Sequence, residues 1–181
     1  DIHKESKLSG KIHEKSINII KGLISNIINS YEDIPVDFYL NFEQSYGIID
    51  GDSASVAEVI CILSALTKRP IKQNISVTGS INQLGEVQAI GGVNEKIEGF
   101  FKVCEFIDDY KDKGVLIPSS NKDELILMPE VEKAIEDGDF HIYIMDNIDD
   151  AIETLLLNGN ESIEEFYSGL KEEIKKYTIK K

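Results

Sequence analysis

The chain has no tryptophan, a single arginine (Arg69), two cysteines and three histidines, and it sets 33 acidic residues against 19 basic ones. Each shortage closes off a class of function. A formal charge of -14 leaves no basic face to neutralise phosphates, which argues against nucleic-acid binding. Cys61 and Cys104 lie in apolar helical contexts, so they read as buried thiols in a reducing cytoplasm and not as a disulfide. The stretch Ile12 to Lys15 (IHEK) lacks the second histidine of a zinc-binding helix, and no other cluster has metal-ligand spacing. Gly79 to Glu86 is bounded by glycines, yet the lysine of a phosphate-binding loop does not follow. No apolar run approaches the roughly 20 residues of a membrane span, and no signal-peptide pattern opens the chain.

What remains is a chain of 181 residues, 41% of them apolar, enough for one domain with one core. Asp1 to Gly10 is polar and reads as a linker. Apolar residues at helical spacing from Ser16 to Tyr31 predict an amphipathic helix, and the alternation in Val36 to Phe42 predicts a half-buried strand. A helix is expected from Ser53 to Leu66, with Ser55 and Glu58 at capping-box spacing. Asn74 to Ser80 and Glu86 to Ile90 read as strands joined by a turn. Asn94 is the N-cap candidate of a helix running to Asp109. Gly114 to Ile117 and His141 to Met145 are further strands, and Pro129 to Glu136, Ile148 to Leu157 and Ser162 to Tyr177 are helices. Strands and helices intermix without a strict βαβ rhythm, which places the chain in the α+β class as one compact domain of mixed sheets flanked by helices. The lysines at the C-terminal end read as a solvated helix terminus.

The chemistry concentrates in three blocks: GDSAS at Gly51 to Ser55, TGS at Thr78 to Ser80, and GGVNEK at Gly91 to Lys96. A serine hydroxyl is a poor nucleophile near neutral pH and needs a base and donors for an oxyanion. None of the histidines falls in these blocks, whereas Lys96 lies 43 residues after Ser53, flanked by apolar residues. A Ser-Lys pair is therefore the reading to test. Burial against Val93, Ile97 and Phe100 would favour the neutral amine a lysine base requires. A helix N-terminus at Ser53 would supply unpaired amides for an oxyanion. Each residue taken alone has a plainer meaning: a helix start for Ser53, a solvated lysine for Lys96, a strand-end threonine for Thr78, a helix-capping loop aspartate for Asp50. Ser55 stands where the GDSG of trypsin-like proteases and the GxSxG elbow of α/β-hydrolases have a glycine, so neither pattern fits.

Taken together, GDSAS, VTGS (Val77 to Ser80), GEV (Gly85 to Val87) and IGGVNEKIEGFF (Ile90 to Phe101) resemble the proteolytic domain of the Lon proteases, in particular the B-type branch common in archaea. Asp52 and Ser55 occupy the positions of the proline and last glycine of the A-type serine motif and leave Ser53 in register. The resemblance implies the Lon proteolytic-domain fold over residues 11–181, with residues 1–10 a linker from an upstream ATPase part. It implies Ser53 as nucleophile and Lys96 as base. Asp50 and Thr78 would lie in the site, Thr78 holding the lysine amine and Asp50 placed to pair with it in a resting state. It further implies unfolded proteins as substrates, an AAA+ domain on the same polypeptide using ATP and magnesium, and a ring of six. No cofactor is expected on this chain. The location implied is cytoplasmic, with a membrane anchor in B-type members lying outside this segment. The rivals are a non-catalytic assembly or substrate-docking module of the same fold and a Ser-Lys amidase for small substrates.

Overall fold

The structure, a computed structural model, describes residues 10–28, 36–43 and 47–178. Elements follow in the order α1 (Lys11–Ile28), α2 (Ser55–Thr67), β1 (Ile75–Val77), β2 (Ser80–Ile81), β3 (Val87–Gln88), α3 (Val93–Ile107) and β4 (Lys113–Pro118). A 3-10 turn (Ser119–Glu124), α4 (Pro129–Glu136), β5 (Phe140–Met145), α5 (Ile148–Leu155) and α6 (Ile163–Thr178) complete it.

Two sheets organise these pieces. A parallel sheet runs β1-β4-β5, and an antiparallel pair joins β2 to β3 with Ser80 opposite Gln88. Parallel neighbours need crossover connections; α3 lies between β1 and β4 in sequence, and α4 between β4 and β5. The antiparallel pair is stitched to the end of β5, since Val87 N donates to Asp146 O at 2.9 Å and Ile148 N to Gly85 O at 2.9 Å.

The central strand divides the interior. Side chains alternate faces along a strand, so Leu116 joins one apolar cluster with α1, α2, α5 and α6, while Val115 and Ile117 join another with α3, α4 and Phe140. Helix α2 packs against α1, α5 and α6 and buries Ser55, Val56, Glu58, Val59, Ile60, Ile62, Leu63 and Leu66. A helix apolar nearly all round is a core helix. Cys61 nevertheless occupies its narrow exposed stripe, and only Cys104 is buried, which corrects the expectation of two buried thiols.

Four local expectations change. Helix α1 begins at Lys11, five residues before its apolar periodicity; Tyr31, its expected end, lies outside the described residues. Val36 to Phe42 forms no strand among the described residues. Val36, Phe38 and Leu40 do pack on the first cluster, so the alternation records half-burial without a ladder. The segment read as one strand from Asn74 to Ser80 splits at Thr78 and Gly79 between the two sheets. Finally, Gly92 and not Asn94 takes the N-cap position of α3, with φ +69°. Asn94 instead accepts from Ile126 N at 3.1 Å and donates to Glu124 O at 3.3 Å.

Candidate active site

Ser53 lies in the turn that opens α2. Gly51, two residues earlier, has φ +101°, a conformation that side chains disfavour, so the chain can swing into the turn there. The turn is then held from below. Ser53 O accepts from Gly79 N at 2.8 Å and from the Thr78 hydroxyl at 3.2 Å, and Val56 N donates to Gly79 O at 3.2 Å. The approach at Gly79 is close, since a Cβ there would stand 2.8 Å from Met145 Cε and 3.0 Å from Val56 Cγ2. Thr78 in turn donates its amide to Leu116 O at 3.1 Å, so the Ser53 turn is registered against the central strand.

Lys96 projects from the first turn of α3, and its Nζ donates to Ser53 Oγ at 2.9 Å. The approach to α3 is fixed by buried Asn121, whose amide clasps both backbone groups of Ile90, each at 3.0 Å. Glu98 accepts from Met128 N at 2.9 Å and ties the next turn. Val93, Ile97, Phe101 and Cys104 form the buried face of α3, whereas Lys96 is exposed. Successive helical residues point about 100° apart, so a lysine beside Ile97 in sequence points away from the core. The expected burial of the amine against Val93, Ile97 and Phe100 is therefore not present in this chain.

The other site residues do different work from that expected. Asp50 does not face Lys96. Its Oδ1 accepts from Gly51 N at 2.9 Å, Ile12 N at 3.0 Å and His13 N at 3.3 Å, so it caps α1, where unpaired amides favour an anion. The Gly51 amide first, then those of His13 and Ile12, hold its carboxyl below the usual range against a smaller desolvation effect, with His13 adding a charge contribution. Thr78 bonds the Ser53 carbonyl and not the lysine amine. Asp52 accepts from the Ser80 hydroxyl at 2.9 Å, and its carbonyl takes the Ser55 amide at 3.0 Å together with the Ser55 hydroxyl. No capping box forms at Ser55 and Glu58. The amides of Ser55 and Val56 are both engaged, so the helix start offers fewer oxyanion donors than its position suggests.

The sequence reading assigned no role to Gly79, Ser80 or Asn121. Asn121 carries no local signal of its role, since it meets Ile90 only through folding. Gly79 lies inside the TGS block and was open to interpretation as a close-approach glycine.

Residues 37–158 match the family model of the Lon protease (S16) C-terminal proteolytic domain. The chain is 42% identical over 156 residues to the "Putative Lon protease homolog" of Escherichia coli strain K12, covering 86% of this chain and 27% of that protein. It is 42% identical over 165 residues to the protein of the same name from Haemophilus influenzae, covering 91% and 27%. An archaeal Lon protease from Thermococcus kodakarensis is 34% identical over 160 residues, covering 87% and 23%. The chain thus spans about a quarter of the length of these relatives, and the two bacterial ones share more of its residues than this archaeal one.

Proposed function

Because the chain belongs to the family of the Lon protease (S16) C-terminal proteolytic domain, we propose that it is the peptide-bond-cleaving part of a longer, ATP-dependent protease, with Ser53 as nucleophile and Lys96 as base. The observation that carries this reading is the 2.9 Å contact between Lys96 Nζ and Ser53 Oγ, within the reach required of a base and its nucleophile.

In this scheme neutral Lys96 takes the hydroxyl proton as Ser53 Oγ attacks the scissile carbonyl carbon. The Ser53 and Ala54 amides are the candidate donors to the oxyanion in this proposal. Collapse breaks the C–N bond, and the Lys96 ammonium returns its proton to the leaving amine. Lys96 then deprotonates a water that releases the acyl group and restores the hydroxyl. A lysine works as a base only when neutral. Lys96 is exposed in this chain, so the water exclusion that favours the neutral amine has to come from bound substrate or from neighbouring copies. That requirement fits a ring of six fed with unfolded polypeptide by an AAA+ part of the same polypeptide, which would hydrolyse ATP with magnesium outside this chain. In a cell the domain would work in the cytoplasm; among the described residues no helix is long and apolar enough to cross a membrane.

A fluorophosphonate that labels serine nucleophiles, combined with cleavage of an unstructured peptide, tests the reading. The protein should label at Ser53, and Ser53→Ala and Lys96→Ala should each lower kcat by about 10⁴-fold or more, non-additively, as parts of one unit do. An unlabelled serine in a folded protein would favour the non-catalytic module, and near wild-type turnover in either variant would overturn the dyad.

A further inference from the structure

Helix α3 carries three rows of side chains, because helical residues three and four apart share a face. Val93, Ile97, Phe101 and Cys104 form the row that faces the core. Glu95, Glu98, Lys102 and Glu105 form a second, charged row in which Lys102 is the one base. The remaining row, between the charged one and the core, consists of Lys96, Gly99, Val103 and Phe106, with Ile107 beside Phe106, and all of these are exposed. It begins at the amine that donates to Ser53 Oγ at 2.9 Å. It ends in apolar side chains left in solvent, Val103 at 52% exposure, Ile107 at 74% and Phe106 at 91%, and none of the three belongs to either apolar cluster. A contiguous apolar row in water marks a surface that something covers. At Gly99, in the middle of the row, nothing stands within 4 Å of where a Cβ would be, so a side chain from outside can lie against the helix there.

We propose that this row is a docking strip for the substrate, an extended polypeptide with large apolar side chains set among lysines or arginines. The proposal rests on Ser53 and Lys96 being the dyad. Val103, Phe106 and Ile107 take the apolar side chains, and the acidic members of the neighbouring row face the basic ones. None of these residues touches the reacting atoms; they set which sequences are held and how tightly.

Area, charge and reach favour a polypeptide over a second copy of this domain. A stable interface between proteins buries roughly 800 Å² on each partner, and even three aromatic side chains at about 150 to 250 Å² each would fall short of that. Val103 and Ile107 are smaller still. Each copy carries a formal charge of -14, and Glu95, Glu98 and Glu105 border the row against Lys102 alone, so a second copy would bring acid toward acid whereas a basic polypeptide is attracted. The row rises about 15 Å from Lys96 to Phe106 at about 1.5 Å per residue, a span that about five residues of extended chain cover. A polypeptide whose scissile bond lies at Ser53 therefore reaches Phe106 within a few residues. Lying there, it also covers the Lys96 amine and keeps water from it, as the proposed chemistry requires.

The test uses two unstructured peptides with the same cleaved bond, a long one with about eight residues on each side that include phenylalanine and lysine, and a short one with about two on each side. Val103→Ser combined with Phe106→Ser, both at exposed positions, should raise KM for the long peptide about tenfold or more, with kcat within about twofold and the short peptide unaffected. A rise in KM alone is the mark of binding lost away from the reacting atoms. Glu105→Lys should lower the preference for the lysine-bearing long peptide over one with glutamate in those places by about threefold or more. An unchanged KM in a protein that labels at Ser53 would overturn the strip and leave the dyad standing. Sedimentation showing a smaller oligomer in the double variant than in wild type would overturn it too, by assigning the row to a second copy. A wild type that neither labels nor cleaves would overturn both strip and dyad.

Discussion

Replacing Gly79 by alanine adds one methyl group at the point where fold and site meet. The backbone of Gly79 does not have a positive φ, so alanine is conformationally allowed and would, by restricting the unfolded chain, stabilise by about 0.4 to 1 kcal/mol. Against that stands the space. The new Cβ would lie 2.8 Å from Met145 Cε, 3.0 Å from Val56 Cγ2 and 3.4 Å from Val87 Cγ1. Met145 Cε is the end of a flexible side chain and can retreat, but Val56 is β-branched and stiff in a helix, so relief comes by moving the first turn of α2. Overpacking of this kind costs about 1 to 3 kcal/mol, which leaves a net loss of about 1 to 2 kcal/mol, or about 2 to 8 °C in Tm for a domain of this size. The same movement lengthens the 2.8 Å bond from Gly79 N to Ser53 O and shifts Oγ relative to Lys96. A misplacement of about 1 Å can cost about 100-fold, so a partial shift should lower kcat by about tenfold. Gly22→Ala and Gly99→Ala serve as controls, because a Cβ at Gly22 meets only Gln83 Cβ at 3.7 Å and one at Gly99 meets nothing within 4 Å; as helix-interior glycines they should gain about 0.5 to 1 kcal/mol each. Urea unfolding and peptide turnover on the three variants provide the measurement. If Gly79→Ala behaved like its two controls and kept full turnover, the close approach of Gly79 to α2 would not be what fixes the nucleophile.

Two predictions concern protons. Glu58 is raised in the folded state, so the stability it contributes is fully present below 4.5 and is lost as pH rises through about 7. At about 1.4 kcal/mol per tenfold change in the ionisation constant, the loss is at most about 3 to 4 kcal/mol. Urea unfolding from about pH 5 to 8.5 should show wild type losing stability that Glu58→Gln keeps, and equal slopes would refute the assignment. Asp50 has the opposite sign: its folded value is lowered, so its contribution is present above the unfolded value and disappears on acidification. Asp50→Asn keeps an oxygen for the Ile12, His13 and Gly51 amides and should flatten the acid loss of stability while α1 stays capped. Asp50→Ala should be less stable than Asp50→Asn at neutral pH, and two variants unfolding alike would show that the carbonyl-type acceptor is not what α1 needs.

The legible part of this molecule is the part whose cause is local. Glycine-rich turns before a helix, apolar periodicity in α2 and α3, and buried runs such as Gly114 to Ile117 all declare themselves within a few residues, whereas the expectation that Ser53 pairs with Lys96, 43 positions on, came from the motif blocks and the family they resemble. The acceptors of long-range bonds were not legible. Asp50 sits three residues before Ser53 and was expected to pair with Lys96, yet it serves amides 37 and 38 positions upstream. Val36 to Phe42 has the alternation of a strand, but alternation reports burial of one side, and a ladder also needs a partner edge. His13 was set aside because it lies outside the motifs; only the packing of α1 on α2 shows that it reaches the nucleophile's helix.

That packing bears on how the site is held at all. Ser53 rides on α2, which belongs to the cluster with α1, α5 and α6, whereas Lys96 rides on α3, which belongs to the cluster with α4 and Phe140. The two clusters lie on opposite faces of β4 and β5, with Leu116, Tyr143 and Met145 on one and Val115, Ile117, Phe140 and Ile142 on the other. The 2.9 Å contact is therefore a distance between two half-domains, transmitted through Leu116 O to Thr78 N and from Gly79 N to Ser53 O on one side and through Asn121 and Ile90 on the other. If Ser53 and Lys96 are the proposed dyad, a packing defect in either cluster moves one of its atoms and leaves the partner in place. Core substitutions of equal thermodynamic cost should consequently reduce turnover more than exposed ones, and those lining the strand more than those at the far ends of α5 and α6.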